Sequence, residues 1–295
     1  MNSFSKLFQR FIRKINKTVS AWFFIDQWVI LTAQNLSIDA LEWLAFKPLI
    51  PPSDRYWADP FIYVYENRYF VFIEEKIYRT GLGHIACFEL DANGDLLSNQ
   101  TVLKRPYHLS YPFLFEHQDQ LYMMPETAEN RTLEVYRCTH FPDQWEFVQN
   151  LMQDVYAVDA TLLEHENKWW LFANIKQGEK SSSLSQLFLF WAENPLTQNW
   201  NPHPLNPIVS DARTARPAGY IFSKNGALIR PSQDNSVRYG KALNFNRITK
   251  LSETEYDEVC EVRFEPPRRT KILATHTFNK NGDLTVIDAV IRRKK

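Results

Sequence analysis

Three cysteines, Cys87, Cys138 and Cys260, are too few, too scattered and the wrong parity for a disulfide framework. They also lack the paired spacing of a zinc site, and the seven histidines stand singly, so no metal is expected. This cysteine usage fits a reducing, cytoplasmic compartment. Net charge is missing as well. The 34 basic side chains balance 34 acidic ones, which gives nucleic acid no bulk electrostatic reason to bind. Long apolar runs are absent: the stretch AWFFIDQWVILTA is broken by Asp26 and too short for a bilayer, so no transmembrane segment is expected. Gly81-Leu82-Gly83 has no third glycine and no helix after it, which excludes a dinucleotide loop. No ordering of Ser, His and Asp marks a nucleophile triad. No cofactor is implied.

What is present is a repeated phrase. Asp59-Pro60-FIYVYENRYFVFIEE, Tyr111-Pro112-FLFEHQDQLYMMPET, Asp159-Ala160-TLLEHENKWWLFAN, Arg216-Pro217-AGYIFSKNGALIRPSQD and Thr275-His276-TFNKNGDLTVIDAV are five versions of one hairpin. Their starts lie 52, 48, 57 and 59 residues apart. A period near fifty with a hairpin inside each unit predicts a β-propeller. Glu66-Asn67, Gln118-Asp119, Glu166-Asn167, Lys224-Asn225-Gly226 and Lys280-Asn281-Gly282 mark the turns between first and second strands. Runs such as HIACFEL and LLSNQTVL supply two further strands per unit. The fifth copy has only two strands of its own, so the segment Trp22 to Leu31 is expected to complete the last blade and remove the open edges. The expected fold is therefore all-β, a five-bladed propeller over residues 20–295.

Residues 1–19 read differently. Lys6, Arg10, Arg13, Lys14 and Lys17 meet no acid before residue 19, and Phe4, Leu7, Phe8, Phe11, Ile12 and Ile15 fall on one helical face. Such a basic amphipathic helix either lies on an anionic membrane surface or packs on the side of the propeller. The first choice makes the protein peripheral at the inner face of the membrane.

Geometry turns the repeat into a site. The first strand of a blade lies nearest the axis, and the start of strand one and the end of strand two emerge on the same face. Asp59, Tyr111, Asp159, Arg216 and His276 should thus ring one mouth of the central funnel. Glu74, Glu75, Glu126, Asn174, Gln233 and Asp234 should form a second circle around them. Trp57, beside Asp59, is a candidate sugar platform, and His108 a candidate hydrogen-bond donor. Crowded carboxylates have pKa values pushed apart, which suits acid–base chemistry on a polar ring-shaped ligand.

The Asp59-Pro60-Phe61 hairpin resembles the first-blade motif of five-bladed furanosidase-type glycoside hydrolases, the arabinanase/xylosidase and invertase/levansucrase groups. That resemblance implies Asp59 as base or nucleophile and Asp159, in Val158-Asp159-Ala160-Thr161-Leu162, as the residue that tunes the acid and holds sugar hydroxyls. The ordered set YWADPF, HLSYPFLF, MMPET, VDATLLEH, KWWLF, NPHPLNPIV, ARPAGYIF, RPSQD and YG is more similar still to the N-terminal domain of plant glucosamine inositolphosphorylceramide transferases and its bacterial relatives. One departure matters. The furanosidase pattern wants a glutamic acid opening the fourth copy, where this chain has Ala215-Arg216-Pro217. Arginine cannot donate a proton at neutral pH. Either Glu126, or Glu75 or Asp234, supplies the acid, or the reaction is not ordinary glycoside hydrolysis. Arg216, with Arg213, Arg230 and Arg238 near it in sequence, suits an anionic group such as a sugar phosphate; alternatively it pairs with Asp59 or Asp159 and neutralises the funnel. Three functions remain open: a glycan- or glycolipid-acting enzyme, a glycan-binding module beside a glycosyltransferase, and a scaffold.

Overall fold

The computed structural model describes residues 24–178 and 182–294, so the amphipathic segment expected over 1–19 lies outside the described residues. Among those residues the chain folds into five antiparallel sheets. The first four blades begin with the strands Arg55–Tyr65, Ser110–His117, Ala157–His165 and Arg216–Pro217 and run outward in chain order. In the fourth blade the innermost position is shared by Arg216–Pro217 and Phe222–Lys224, both paired with Ala227–Asp234.

The fifth blade closes the ring. Its inner pieces, Ile272–Ala274 and Phe278–Asn281, pair with Leu284–Lys294, which pairs in turn with Phe24–Gln34 from the other end of the sequence. That register runs unbroken from Phe24 opposite Lys294 to Gln34 opposite Leu284, and Lys47–Leu49 adds the outer edge. The closing strand is the one expected near Trp22 to Leu31. It extends three residues further, because Thr32 and Ala33 are buried against the blade.

The hairpin turns follow from local chemistry. Glu66-Asn67, Gln118-Asp119 and Glu166-Asn167 all have positive φ at both positions, between 48° and 60°. This is the two-residue turn whose twist matches that of the strands it joins. The axis beneath the funnel is filled rather than open. Phe61 packs edge-on against Tyr111 and Tyr220, with ring centroids at 4.8 and 5.1 Å, and Phe113 lies 5.0 Å from Tyr220. Gly219 is required where the fourth blade meets the fifth. Its φ is +128°, and a Cβ there would lie 2.0 Å from the Phe278 carbonyl oxygen. The funnel therefore has a floor.

No helix among the described residues is long and apolar enough to cross a membrane. The basic C-terminal residues are part of the last strand as far as Lys294, and Arg292 forms a bidentate pair with Asp26 at 2.7 Å for each contact.

Candidate functional site

Three of the five leading residues share an uncommon backbone. Asp59, Tyr111 and Asp159 have φ of 51°, 44° and 50°, each within a register slip of its hairpin. Non-glycine residues in this left-handed region carry strain that the surroundings must offset. Here the offset is visible. The Asp59 amide donates to Asp288 at 3.1 Å, the Tyr111 amide to Asp59 at 3.2 Å and the Asp159 amide to Glu126 at 3.2 Å. Each carboxylate reaches the leading amide of the next blade, so the acid circle also stitches the blades together.

Two charge clusters occupy the mouth. In one, the Arg216 guanidinium binds Asp159 through both oxygens, at 2.5 and 3.2 Å, and lies 3.9 Å from Glu126. Gln233 donates to the same Asp159 oxygen at 2.6 Å. In the other, Asp288 accepts from the His276 and Thr277 amides and from His276 Nδ1, at 2.8, 3.0 and 2.5 Å. Asp59 lies on the same Nδ1 side of the imidazole, 3.7 Å from that nitrogen, and accepts the Thr277 hydroxyl at 2.7 Å. Glu74 accepts from the Tyr56 hydroxyl at 2.7 Å and meets His108 Nε2 at 3.0 Å. Because His108 Nδ1 accepts the Gly83 amide, Nε2 is the nitrogen that carries the proton.

Electrostatics separate these groups. Burial pushes Asp59 up to about 7 against the pull of His276, and Asp159, Glu74 and Asp288 push the same way. Burial also raises Glu126 well above the usual carboxylate range, and Asp159 adds to it, outweighing Arg216. For His276, burial works against the charge, but Asp288 and Asp59 outweigh it and raise the imidazole to about 9. Asp59, His276 and Asp288 each offer one donor atom, all within 4.8 Å of one another, as a small metal site would. With His276 protonated and Nδ1–H directed at Asp288, the imidazole has no lone pair free on that side, and the trio acts as a charge-balanced ion cluster.

A pH dependence of stability follows. His276 has a folded value near 9 against an ordinary 6.5, so its contribution is complete below pH 6.5 and is lost as pH rises through 9. The window corresponds to roughly 3 kcal/mol at about 1.4 kcal/mol per pH unit. Asp59, raised from 3.8 to about 7, acts in the same direction at lower pH. The unfolding free energy from urea melts is expected to fall between pH 6.5 and 9, and His276→Gln should flatten most of that slope. An equally steep slope in the variant would exclude His276 as its source.

The structure thus brings Asp59, Asp159, Glu126, Arg216, Gln233 and His276 to one mouth. It places the other candidates elsewhere. Trp57 is 4% exposed in the first blade's core, edge-on to Phe88 with its indole N–H on Glu75, so no sugar can stack on it. Glu75 points to the opposite blade face from Glu74. Burial opposes its charge, yet His84, Trp57 and Arg55 hold its carboxyl down at about 2. Tyr111 directs its ring into the floor, its hydroxyl bonded to Thr161 and the Gly219 amide. Arg230 is buried on Glu258, and Asp234 pairs with Arg263. His108 stays at the mouth's edge through Glu74.

Sequence reasoning did not single out Asp288, Thr277, Tyr56, Trp28 or Tyr239. Asp288 was visible as an acid in the fifth copy's second strand, but it sits in the middle of Leu284–Lys294 and not near the strand end, where the first and second copies have Glu74 and Glu126. Trp28 stacks on His276 at 4.1 Å and 18°, and Tyr239 stands edge-on to the same imidazole at 5.0 Å. Both belong to segments outside the hairpin alignment; Tyr239 entered only as part of the YG motif, with no role attached to it.

Five blades around a floored funnel with acids at its mouth define the propeller class also seen in glycoside hydrolases. Solved structures show the same fold. A family 117 glycoside hydrolase of Zobellia galactanivorans superposes with a TM-score of 0.58 over 90% of both chains, at 9% identity. An α-L-arabinofuranosidase from Lactobacillus brevis gives 0.55 over 79% of this chain and 90% of its own, at 16% identity. The family described as "Glucosamine inositolphosphorylceramide transferase 1, N-terminal" matches residues 50–286, and the chain belongs to that family. Glucosamine inositolphosphorylceramide transferase 1 from Oryza sativa subsp. japonica is 35% identical over 68% of this chain and 27% of its own length. The Arabidopsis thaliana protein of that name is 35% identical over 72% and 28%. The chain thus spans about a quarter of the length of these curated relatives.

Proposed function

We propose that the chain is a carbohydrate-active propeller that binds a sugar in the funnel and acts on its glycosidic bond, by hydrolysis, phosphorolysis or transfer. The carrying observation is the pair Asp59 and Glu126. Both are buried carboxyls held above the ordinary carboxylate range, Asp59 at about 7 and Glu126 well above its usual value, with Glu126 3.9 Å from the Arg216 that binds Asp159. A carboxyl that keeps its proton near pH 7 can deliver it to a leaving oxygen, and one that titrates there can take a proton back. Glu126 is the acid, Asp59 the base or nucleophile, and Asp159 orients hydroxyls. Arg216 is committed to both oxygens of Asp159, which favours a hydroxyl- or amino-bearing sugar over a phosphate as the group bound at this point. The relatives' name, with its glucosamine and inositolphosphorylceramide, supports an amino sugar on a glycolipid as the first substrate class to try. Comparing turnover in wild type, Asp59→Asn and Glu126→Gln tests the proposal. Loss of turnover with ligand binding retained supports it, and unchanged turnover defeats it.

A second reading has its own support. The carboxylates also fasten blade to blade, and the matched part is only a quarter of the relatives, whose named transfer activity belongs to the whole protein. On this reading the chain is a glycan-binding module beside a glycosyltransferase, and wild type binds sugar without turning it over. Either way the amphipathic residues 1–18 suit a peripheral position on the inner face of a membrane. Deleting them should abolish co-sedimentation with anionic liposomes; unchanged pelleting defeats that assignment.

A further inference from the structure

The loop from Asn235 to Gly240 hangs Tyr239 over the acid clusters. Most large side chains bordering the clusters are buried, yet Tyr239 is 42% exposed. One face of its ring lies 5.3 Å from the Arg216 guanidinium carbon, and the ring stands at 90° to His276 and 80° to Trp28. Trp28 is itself part-buried and stacked on His276. Three rings thus form a corner at the rim, directly above both ion clusters.

The loop is built to hold this posture. Asn235 accepts the Gly240 amide at 2.8 Å and donates to Gln233 at 3.3 Å, and Gln233 donates to Asp159. The Asn235 amide is fixed on the Ala212 carbonyl and the Thr275 amide on the Gly240 carbonyl. Gly240, at φ +64°, lets the loop lie against the indole: a Cβ there would meet Trp28 at 3.2 Å and the Thr275 carbonyl oxygen at 3.1 Å. Exposed aromatic surface held in place by a hydrogen-bonded loop has already met its ordering cost before a ligand arrives.

We infer that Tyr239, backed by Trp28, is a stacking wall for the C–H face of a sugar ring whose hydroxyls reach Asp159 and Glu126 below. The chemistry is that of a ring with one apolar and one polar side. Its polarised C–H bonds pack on the electron-rich aromatic face while its hydroxyls find fixed acceptors. This deepens the proposed function and rests on it, because it names the wall against which the sugar is oriented. Asn235 is a positioning residue that acts through the loop.

The full chain is titrated by calorimetry with glucosamine, N-acetylglucosamine and glucose as separate probes, using wild type, Tyr239→Phe, Tyr239→Leu and Asp159→Asn. The expected result is binding of at least one probe by wild type, retained within about twofold in Tyr239→Phe and weakened about tenfold in Tyr239→Leu, with unchanged melting temperatures. Leucine keeps apolar bulk without a π face, so it separates stacking from simple shielding. Equal affinity in Tyr239→Leu and wild type, with binding still lost in Asp159→Asn, overturns the wall and leaves the funnel function standing. Absence of binding for every probe in wild type, or binding untouched by Asp159→Asn, overturns both.

Discussion

Replacing Arg216 by methionine is expected to lower the unfolding free energy by about 3–5 kcal/mol, the usual cost of removing one partner from a buried ion pair. The side chain is 11% exposed, Asp159 beneath it is 3% exposed, and Glu126 lies within 3.9 Å. Without the guanidinium, Asp159 keeps only Gln233 as a side-chain donor and shares a desolvated space with a second carboxyl. It would take up a proton or open the blade junction. The double variant Arg216→Met/Asp159→Asn should recover much of the loss, because the stranded charge is gone. Urea melts of the two single variants and the double form the cycle. A loss below about 1 kcal/mol would place Arg216 in the class of solvent-screened surface pairs and contradict the burial argument.

The second large effect concerns turnover. Removing a general acid or base typically costs about 10²–10⁴-fold in rate, so Glu126→Gln and Asp59→Asn should each fall in that range on any sugar substrate the protein turns over. Both replacements keep an oxygen for the amide each carboxylate accepts, those of Asp159 and Tyr111, so melting temperatures should change little. The pH profile provides a second readout. Asp59 must lose its proton to act as base, so kcat/KM should rise through pH 7. Glu126 must keep its proton to act as acid, and because burial raises it well above the ordinary carboxylate range, kcat/KM should fall again once that proton is lost. A pH-independent rate, or wild-type activity in Glu126→Gln, would remove the acid–base assignment and favour the binding-module reading.

The fold was legible because each blade repeats the same local decision. An acid or aromatic residue precedes Pro60, Pro112 or Ala160, a β-rich strand follows, and a polar pair such as Glu66-Asn67 turns it back. Those signals are short-range, and strand alternation carries them directly into the sheet. The ring of leading residues followed from geometry alone, which is why Asp59, Asp159 and Arg216 meet. Pairing within the ring could not follow. Asp159 rather than Asp59 captures Arg216, and both aspartates have left-handed backbone, of which neither Asp59 before Pro60 nor Asp159 before Ala160 gives a sign in the sequence. Trp57 misled because proximity in sequence to Asp59 says nothing about which blade face a side chain takes. Alternation alone would set Trp57 on the same face as Asp59, two residues on, but the register slip between Ala58 and Phe61 breaks it and Trp57 turns into the first blade's interior. Arg230 misled for the same reason, lying three residues before Gln233 yet paired with Glu258 between strands.

The pairing of Phe24–Gln34 with Leu284–Lys294 has a consequence for how the protein is made. The first of these strands leaves the ribosome about 250 residues before that partner exists, so for most of synthesis a β-rich segment waits with only the short strand Lys47–Leu49 to pair with. Closing so long a loop is a search that local hairpins do not face. Blades one to four can assemble while translation continues, whereas sealing the circle is necessarily the last event. A rearranged gene that joins residue 294 to residue 24 through a short turn, with new ends opened between two blades, would convert that final search into an ordinary hairpin and should shorten the slowest refolding phase.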